Sequence, residues 1–215
     1  MNLLEDPRQV TGEWHIVQTK RLLAFDAGRH LDTVLVYAAV ELRAAIERTL
    51  FELLHLLKEG QISEKEVKRC RSVNGITALI RETDNAYRKT LQFTRLVASV
   101  TPGFPEVAVI DTAYLIRRWN ELSEYCHLQF RPAETFESTG RGFQHKGFAL
   151  VNEVLSKLLE WYVGNAFGLI VRSSLPEETQ GIYEKFVAGE IDEEQARRML
   201  VISEPVLRRR LDVSR

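Results

Sequence analysis

The chain has little of what usually carries recognisable chemistry. Its 215 residues include only two cysteines, Cys70 and Cys126. They lack paired spacing, which excludes a disulfide framework and a thiolate zinc motif. There is no phosphate-cradling glycine loop, no G-x-S-x-G elbow and no H-E-x-x-H pair. No apolar run reaches the roughly 20 residues that a membrane-spanning helix needs. Charge of one sign is also missing: 29 basic against 30 acidic residues leave a net charge of −1, so nothing global pulls the chain toward nucleic acid or anionic lipid. An RNA contact would need a local patch. The N-terminal stretch MNLLEDPRQ has no basic region leading into an apolar run, so no signal peptide is visible and a cytoplasmic protein without membrane contact is expected.

What is present is helical. Alternating strand patterns are nearly absent, and there is no solenoid repeat. The organising stretch is residues 29–59. Between Thr33 and Leu57 it contains neither Gly nor Pro, and it is rich in Ala, Leu, Glu and Arg, which lose little rotamer freedom in a helix. Leu35, Val36, Ala39, Leu42, Ile46, Leu50, Leu53, Leu54 and Leu57 cover more than half its circumference, the pattern of a helix with neighbours on several sides. One narrow stripe is polar: Glu41, Arg48, Glu52, His55 and Glu59. It reads either as a ladder of pairs within the helix (Arg48–Glu52, Glu52–His55) or as a polar site facing a bundle interior.

The remaining elements follow from punctuation. Residues 1–18 read as an arm, with Glu13–Gln18 extended, and Thr19–Phe25 as a short helix ending near Gly28. Gly60 ends the central helix. Ser63 and Glu66 form a capping box that opens a second helix running to Val100, with a break near Asn74–Gly75. Residues 101–105 (TPGFP) form a turn. Asp111 caps a third helix to about Phe130, residues 131–144 read as a polar loop, and a fourth helix spans about 146–172, with Gly164 and Gly168 marking close helix packing. Pro176 and Gly189, then Asp192 and Gln195, delimit a helical hairpin followed by a basic tail, Arg208–Arg210. The fold class is therefore all-α: a bundle of four to five long helices (residues 19–172), with an N-terminal arm (1–18) and a small C-terminal helical hairpin and tail (173–215). The hairpin either packs back on the bundle or serves a protein partner. The basic run reads as solvated tail or as a contact to phosphate or an acidic surface.

Two constellations could carry chemistry. Glu52-Leu-Leu-His55 and Glu124-Tyr-Cys-His127 are both Glu-x-x-His, a spacing that puts two ligands on one side of a helix. They resemble the pairs of ferritin-like di-iron bundles, with Glu82 and either Glu153 or Glu160 as the further carboxylates. The chain order departs from that group, because here Glu-x-x-His comes first. No resident cofactor is expected on the leading reading.

The second constellation is Trp119-Asn-Glu-Leu-Ser-Glu-Tyr-Cys-His127. It resembles the W/Y-x-x-L-S-x-x-x-H segment of some HEPN-like helical proteins. Arg117-Arg118 precede it, and a loop and a long helix follow, the order such domains show. The stretch ELRAAIERTLF (Glu41–Phe51) also resembles their first long helix, and together the resemblance covers roughly residues 20–170. It implies a helical interaction domain, a homodimer through the third and fourth helices, and a setting in bacterial defence or toxin systems. Active members cleave RNA with an Arg-x4-6-His motif. That reaction needs a His to move a proton and an Arg to stabilise charge on phosphate. His127 matches the His. The Arg does not match: Arg118 is separated from it by eight residues, and Asn120 occupies the nearer position. Arg48-x6-His55 lies on another helix, and Arg141-x3-His145 is one residue short. The departure points to a binding relative rather than a cleaving one. The ribonuclease alternative rests on His127 with Arg117 or Arg118 and Asn120.

Overall fold

Thr11 has extended backbone and its Oγ1 accepts the N–H of Trp14, so the first helix starts at Gly12 rather than at Thr19. In this computed structural model, which describes residues 11–105, 107–126, 133–164 and 168–210, every element is helical among the described residues. In chain order they are α1 (Gly12–Asp26), α2 (Asp32–Leu57), α3 (Glu64–Arg69), α4 (Val73–Val100), α5 (Thr112–Cys126), α6 (Ala133–Val163), a 3-10 turn (Arg172–Ser174), α7 (Glu177–Ala188) and α8 (Glu193–Arg210). The all-α expectation holds. No described helix is long and apolar enough to cross a membrane.

Three expectations are corrected. Glu13–Gln18 is helix, not extended arm: its loose alternation hid a residue set with no strong helical stripe, and the Thr11 cap decided the outcome. Residues 133–144 are helix, not loop: α6 begins at Ala133 and runs through Gly140 and Gly142. A Cβ at Gly142 would meet nothing within 4 Å, so that glycine serves no turn or close contact and only weakens the helix. At its far end α6 stops at Val163 rather than near 172. Gly164 and Gly168 therefore lie beyond the helix in which they were expected. Gly147 marks close helix packing: a Cβ there would lie 2.6 Å from Tyr125 Cε1 and 2.7 Å from Leu35 Cδ2.

The chain divides into two compact units. The first holds the described parts of Met1–Glu52 and Asp111–Tyr162, the second those of Leu53–Ile110 and Val163–Arg215. The division runs through α2 and the end of α6, and so differs from the boundaries at 18 and 172 expected from composition. In the first unit α1, most of α2, α5 and nearly all of α6 enclose Leu35, Leu42, Ile46, Leu50, Leu115, Leu122, Val151, Leu158 and Trp161, each at most 2% exposed. Fully burying such a side chain contributes about 1.5–3 kcal/mol.

The second unit is built on α4. The capping box at Ser63 and Glu66 forms as expected. The break between α3 and α4 falls at residues 70–72, earlier than expected, because Ser72 Oγ accepts the N–H of Gly75 and starts α4 there. Gly75 is required at that point: a Cβ would stand 2.0 Å from the Arg69 carbonyl oxygen. Phe93 lies between Tyr183, 5.1 Å away edge-on, and Phe186, 5.8 Å away. Around them Leu96, Val97, Ile170, Leu175, Ile182, Ala196, Leu200 and Leu207 complete one apolar cluster. The hairpin α7–α8 thus packs on α4. Gly189 (φ +80°) ends α7, and Asp192 and Gln195 exchange backbone N–H bonds at the start of α8. The basic run is not a tail. It is the last turn of α8, which continues through Pro205.

Candidate functional site

In the first unit, α5 carries the candidate residues. Asp111 Oδ1 accepts the N–H of Tyr114 and opens the helix where the sequence places it. One turn on, Arg118 bridges two helices: Nη1 donates to Glu121 on its own helix and Nη2 to Glu153 Oε1 of α6 at 2.6 Å. The Tyr114 hydroxyl donates to the same Glu153 oxygen at 3.1 Å, and the Arg118 guanidinium lies over the Tyr114 ring. Burial pushes the Tyr114 phenol up, and the Glu153 charge adds to it. The Arg118 side chain is only 20% exposed. Arg118, Glu121, Glu124, Tyr125, Lys146, Leu150 and Glu153 line an open cleft of about 360 Å³. Three carboxylates against two cations make it acidic, the wrong sign for drawing in a phosphate.

Arg117 and Asn120 are exposed. Arg117 lies 5.8 Å from the Tyr114 ring centroid. His127 lies outside the described residues, so the structure brings together Arg118 and Glu121 but shows nothing of the His with which either Arg was paired. Trp119, read above as part of the HEPN-like segment, is a packing anchor. Its indole Nε1 donates to Glu47 Oε1 at 2.8 Å, and the Arg43 guanidinium sits 4.2 Å from its centroid. Burial pushes the Cys126 thiol up against an opposing hydrogen bond from Arg43.

Two carboxylates of the polar stripe of α2 reach across to other helices. Glu41 Oε2 meets His15 Nδ1 of α1 at 2.6 Å. Three turns later Glu52 accepts the backbone N–H of Gly12 at 3.0 Å with one oxygen and the Tyr162 hydroxyl of α6 at 2.8 Å with the other. A carboxylate at the first turn of α1 also suits the positive end of that helix. Thr49 Oγ1 stands 3.3 Å from the same hydroxyl. Burial, reinforced by the Glu52 charge, pushes the Tyr162 phenol far above its ordinary range, so it remains a donor. Gly12 is needed for this junction, since a Cβ would fall 2.0 Å from the Tyr162 oxygen. Composition could not have shown it: Gly12 read as punctuation and Tyr162 as core.

The metal set fares no better. Glu52 is spent on α1 and α6. Glu82 is held by Arg69 at 2.7 Å, Glu153 by Arg118 and Tyr114, and Glu160 by Lys157 at 2.9 Å. His55 and Glu124 are exposed. Among the described residues no three His, Cys, Asp or Glu side chains stand together as metal ligands. The described donors do not fit a di-metal centre.

No protein-family model, no curated protein and no solved structure matches this chain.

Proposed function

We propose that the chain is a HEPN-like helical interaction module that works as a homodimer and catalyses nothing itself, of the kind that serves bacterial defence or toxin systems in the cytoplasm. The observation that supports this reading is the engagement of Arg118. A ribonuclease of the resembling type needs an arginine free to meet phosphate, and here Glu121 and Glu153 both hold the cation of Arg118, one of the two candidates. A phosphate would have to displace two carboxylates from a partly buried guanidinium, in a cleft that already carries excess negative charge. Glu52 is likewise committed to the Gly12 N–H and the Tyr162 hydroxyl, which leaves the di-metal reading without one of its named ligands.

The test is direct. Purified protein is incubated with single-stranded and hairpin RNA in the presence of a chelator, alongside His127→Ala and Arg118→Ala, and its mass is measured by sedimentation at micromolar concentration. The expected result is a dimer with no cleavage. Cleavage by the parent protein that disappears in His127→Ala overturns the non-catalytic reading. A strictly monomeric mass overturns the homodimer.

A further inference from the structure

Beside the apolar cluster of the second unit, α4 and α8 also meet through polar side chains. Gln92, Arg95 and Ser99 stand at i, i+3 and i+7 on α4 and share one exposed face of it. Arg197 of α8 reaches across to that face, where its Nη1 donates to Ser99 Oγ at 3.1 Å. Ser99 Oγ itself donates to the Leu96 carbonyl at 2.7 Å, so its lone pairs are left for the guanidinium. Gln92, Arg95, Leu96, Glu193 and Arg197 line an open cleft of about 310 Å³.

This cleft has the opposite sign to the one beside α5. Two guanidiniums face one carboxylate. Arg95 enters no ion pair or hydrogen bond among the described residues. The carboxylate is loosely engaged: Glu193 Oε1 is 3.4 Å from Arg197 Nη2, with the two side chains 68% and 47% exposed. A pair of that length and exposure contributes less than about 1 kcal/mol, so an incoming anion displaces it at little cost. The cation pair is what the cleft offers, not the start of α8, where Asp192 and Gln195 already bond each other's backbone N–H.

The arrangement fits a phosphate monoester. A guanidinium presents a rigid fork of donors that matches phosphate oxygens two at a time. Two forks on two helices suit a group with two negative charges and three free oxygens, whereas a carboxylate occupies only one fork. Ser99 already holds Arg197 in place, which lowers the ordering cost of binding. The volume sits at the lower end of small-molecule pockets, about 300–1,000 Å³, and leaves room for an organic group beside the phosphate. We infer that the α4–α8 cleft binds a small phosphate monoester, with Arg95 and Arg197 clasping the phosphate and Glu193 turned out to solvent. The inference uses residues of the second unit alone and does not rest on the HEPN-like reading.

The experiment titrates the full chain by calorimetry with glycerol 3-phosphate, inorganic phosphate, glycerol and a single-stranded oligonucleotide, at low salt where screening is weakest. Arg95→Gln, Arg197→Gln and Glu193→Gln are compared with the parent, with circular dichroism to confirm an unchanged fold. The expected result is one glycerol 3-phosphate per chain and no binding of glycerol. Its dissociation constant should rise about 10-fold or more in each arginine variant and fall about 2-fold in Glu193→Gln, which removes the competing carboxylate. No binding at millimolar ester, or binding that both arginine variants leave unchanged, overturns the cleft. Inorganic phosphate bound as tightly as the ester overturns the ester in favour of free phosphate. Arg95-dependent binding of the oligonucleotide without binding of the ester overturns the small ligand in favour of a nucleic-acid backbone.

Discussion

The two units solve the same packing problem with different materials. The first is stitched by polar contacts between helices: Glu41 to His15, Glu52 to Gly12 and Tyr162, Glu47 to Trp119, Arg118 to Glu153. Around α4, α7 and α8 the second is held by an aromatic and aliphatic cluster. Polar groups enter it sparingly, as in Thr90 to Tyr183 and the Ile170 N–H to Thr94, and the ion pairs of α8 stay within that helix. The difference bears on function. In the first unit Glu41, Glu47, Glu52 and Arg118 are engaged in architecture, and exposed large apolar side chains occur in both units, Phe25 and Tyr37 in the first and Val201 and Ile202 in the second. Conspicuous polar residues such as Glu52 and Arg118 therefore mark the frame of the first unit.

The comparison can be broken at its strongest points. Phe93→Ala removes the ring between Tyr183 and Phe186 and should cost about 4 kcal/mol, read as a lowered urea midpoint. A cost below about 1 kcal/mol would show that the aromatic cluster is not what holds the second unit. Glu52→Ala strands a buried hydroxyl and a helix-terminal N–H. It should cost about 3 kcal/mol, while Glu52→Gln, which keeps an acceptor, should cost about half as much. All three tryptophans (Trp14, Trp119 and Trp161) lie in the first unit, so their emission follows that unit. Equal costs for the two Glu52 variants would remove the hydrogen-bonding explanation. Gly12→Ala should lose about 2 kcal/mol by overpacking against the Tyr162 hydroxyl, and the additional Tyr162→Phe change, which removes that oxygen, should relieve much of it.

Smaller effects separate the units by pH. Tyr162 has a raised pKa in the fold, so the unfolded chain ionises first. Its contribution is complete below the ordinary phenol value near 10 and is lost as pH rises beyond it. In the second unit Glu66 is held down to about 2, chiefly by the hydrogen bond from Lys58 and then by those from the Ser63 N–H and hydroxyl. Its contribution is present above the ordinary carboxylate value of 4.5 and fades as pH falls toward 2. Denaturant titrations should show Tyr162→Phe flattening only the alkaline limb and Glu66→Gln only the acidic limb. Smallest of all, Arg198→Ala, which breaks an exposed pair with Glu194, should change stability by no more than about 0.5 kcal/mol.

Legibility followed the range of the forces involved. Caps at Ser63, Asp111 and Asp192 and the stop at Gly189 were readable, because each depends on residues within four positions. The helical state of 133–144 was not, because Gly140 and Gly142 read as punctuation. Of the candidate site, Asp111 opens α5 where the sequence places it, and Arg118 lines the cleft. Its partner Glu153 is 35 residues away and was named only as a possible metal ligand.

The sequence by itself determined that this protein is helical, where most helices begin and end, and which side chains are apolar enough to form a core. Those properties are local: backbone propensity, capping and the period of hydrophobicity act within a few residues. Only the tertiary structure decided which polar groups are free to act. Glu52 meets Gly12 across 40 residues and Tyr162 across 110. Such pairings are chosen by which helices pack together, and burial makes each of them costly to leave unmade.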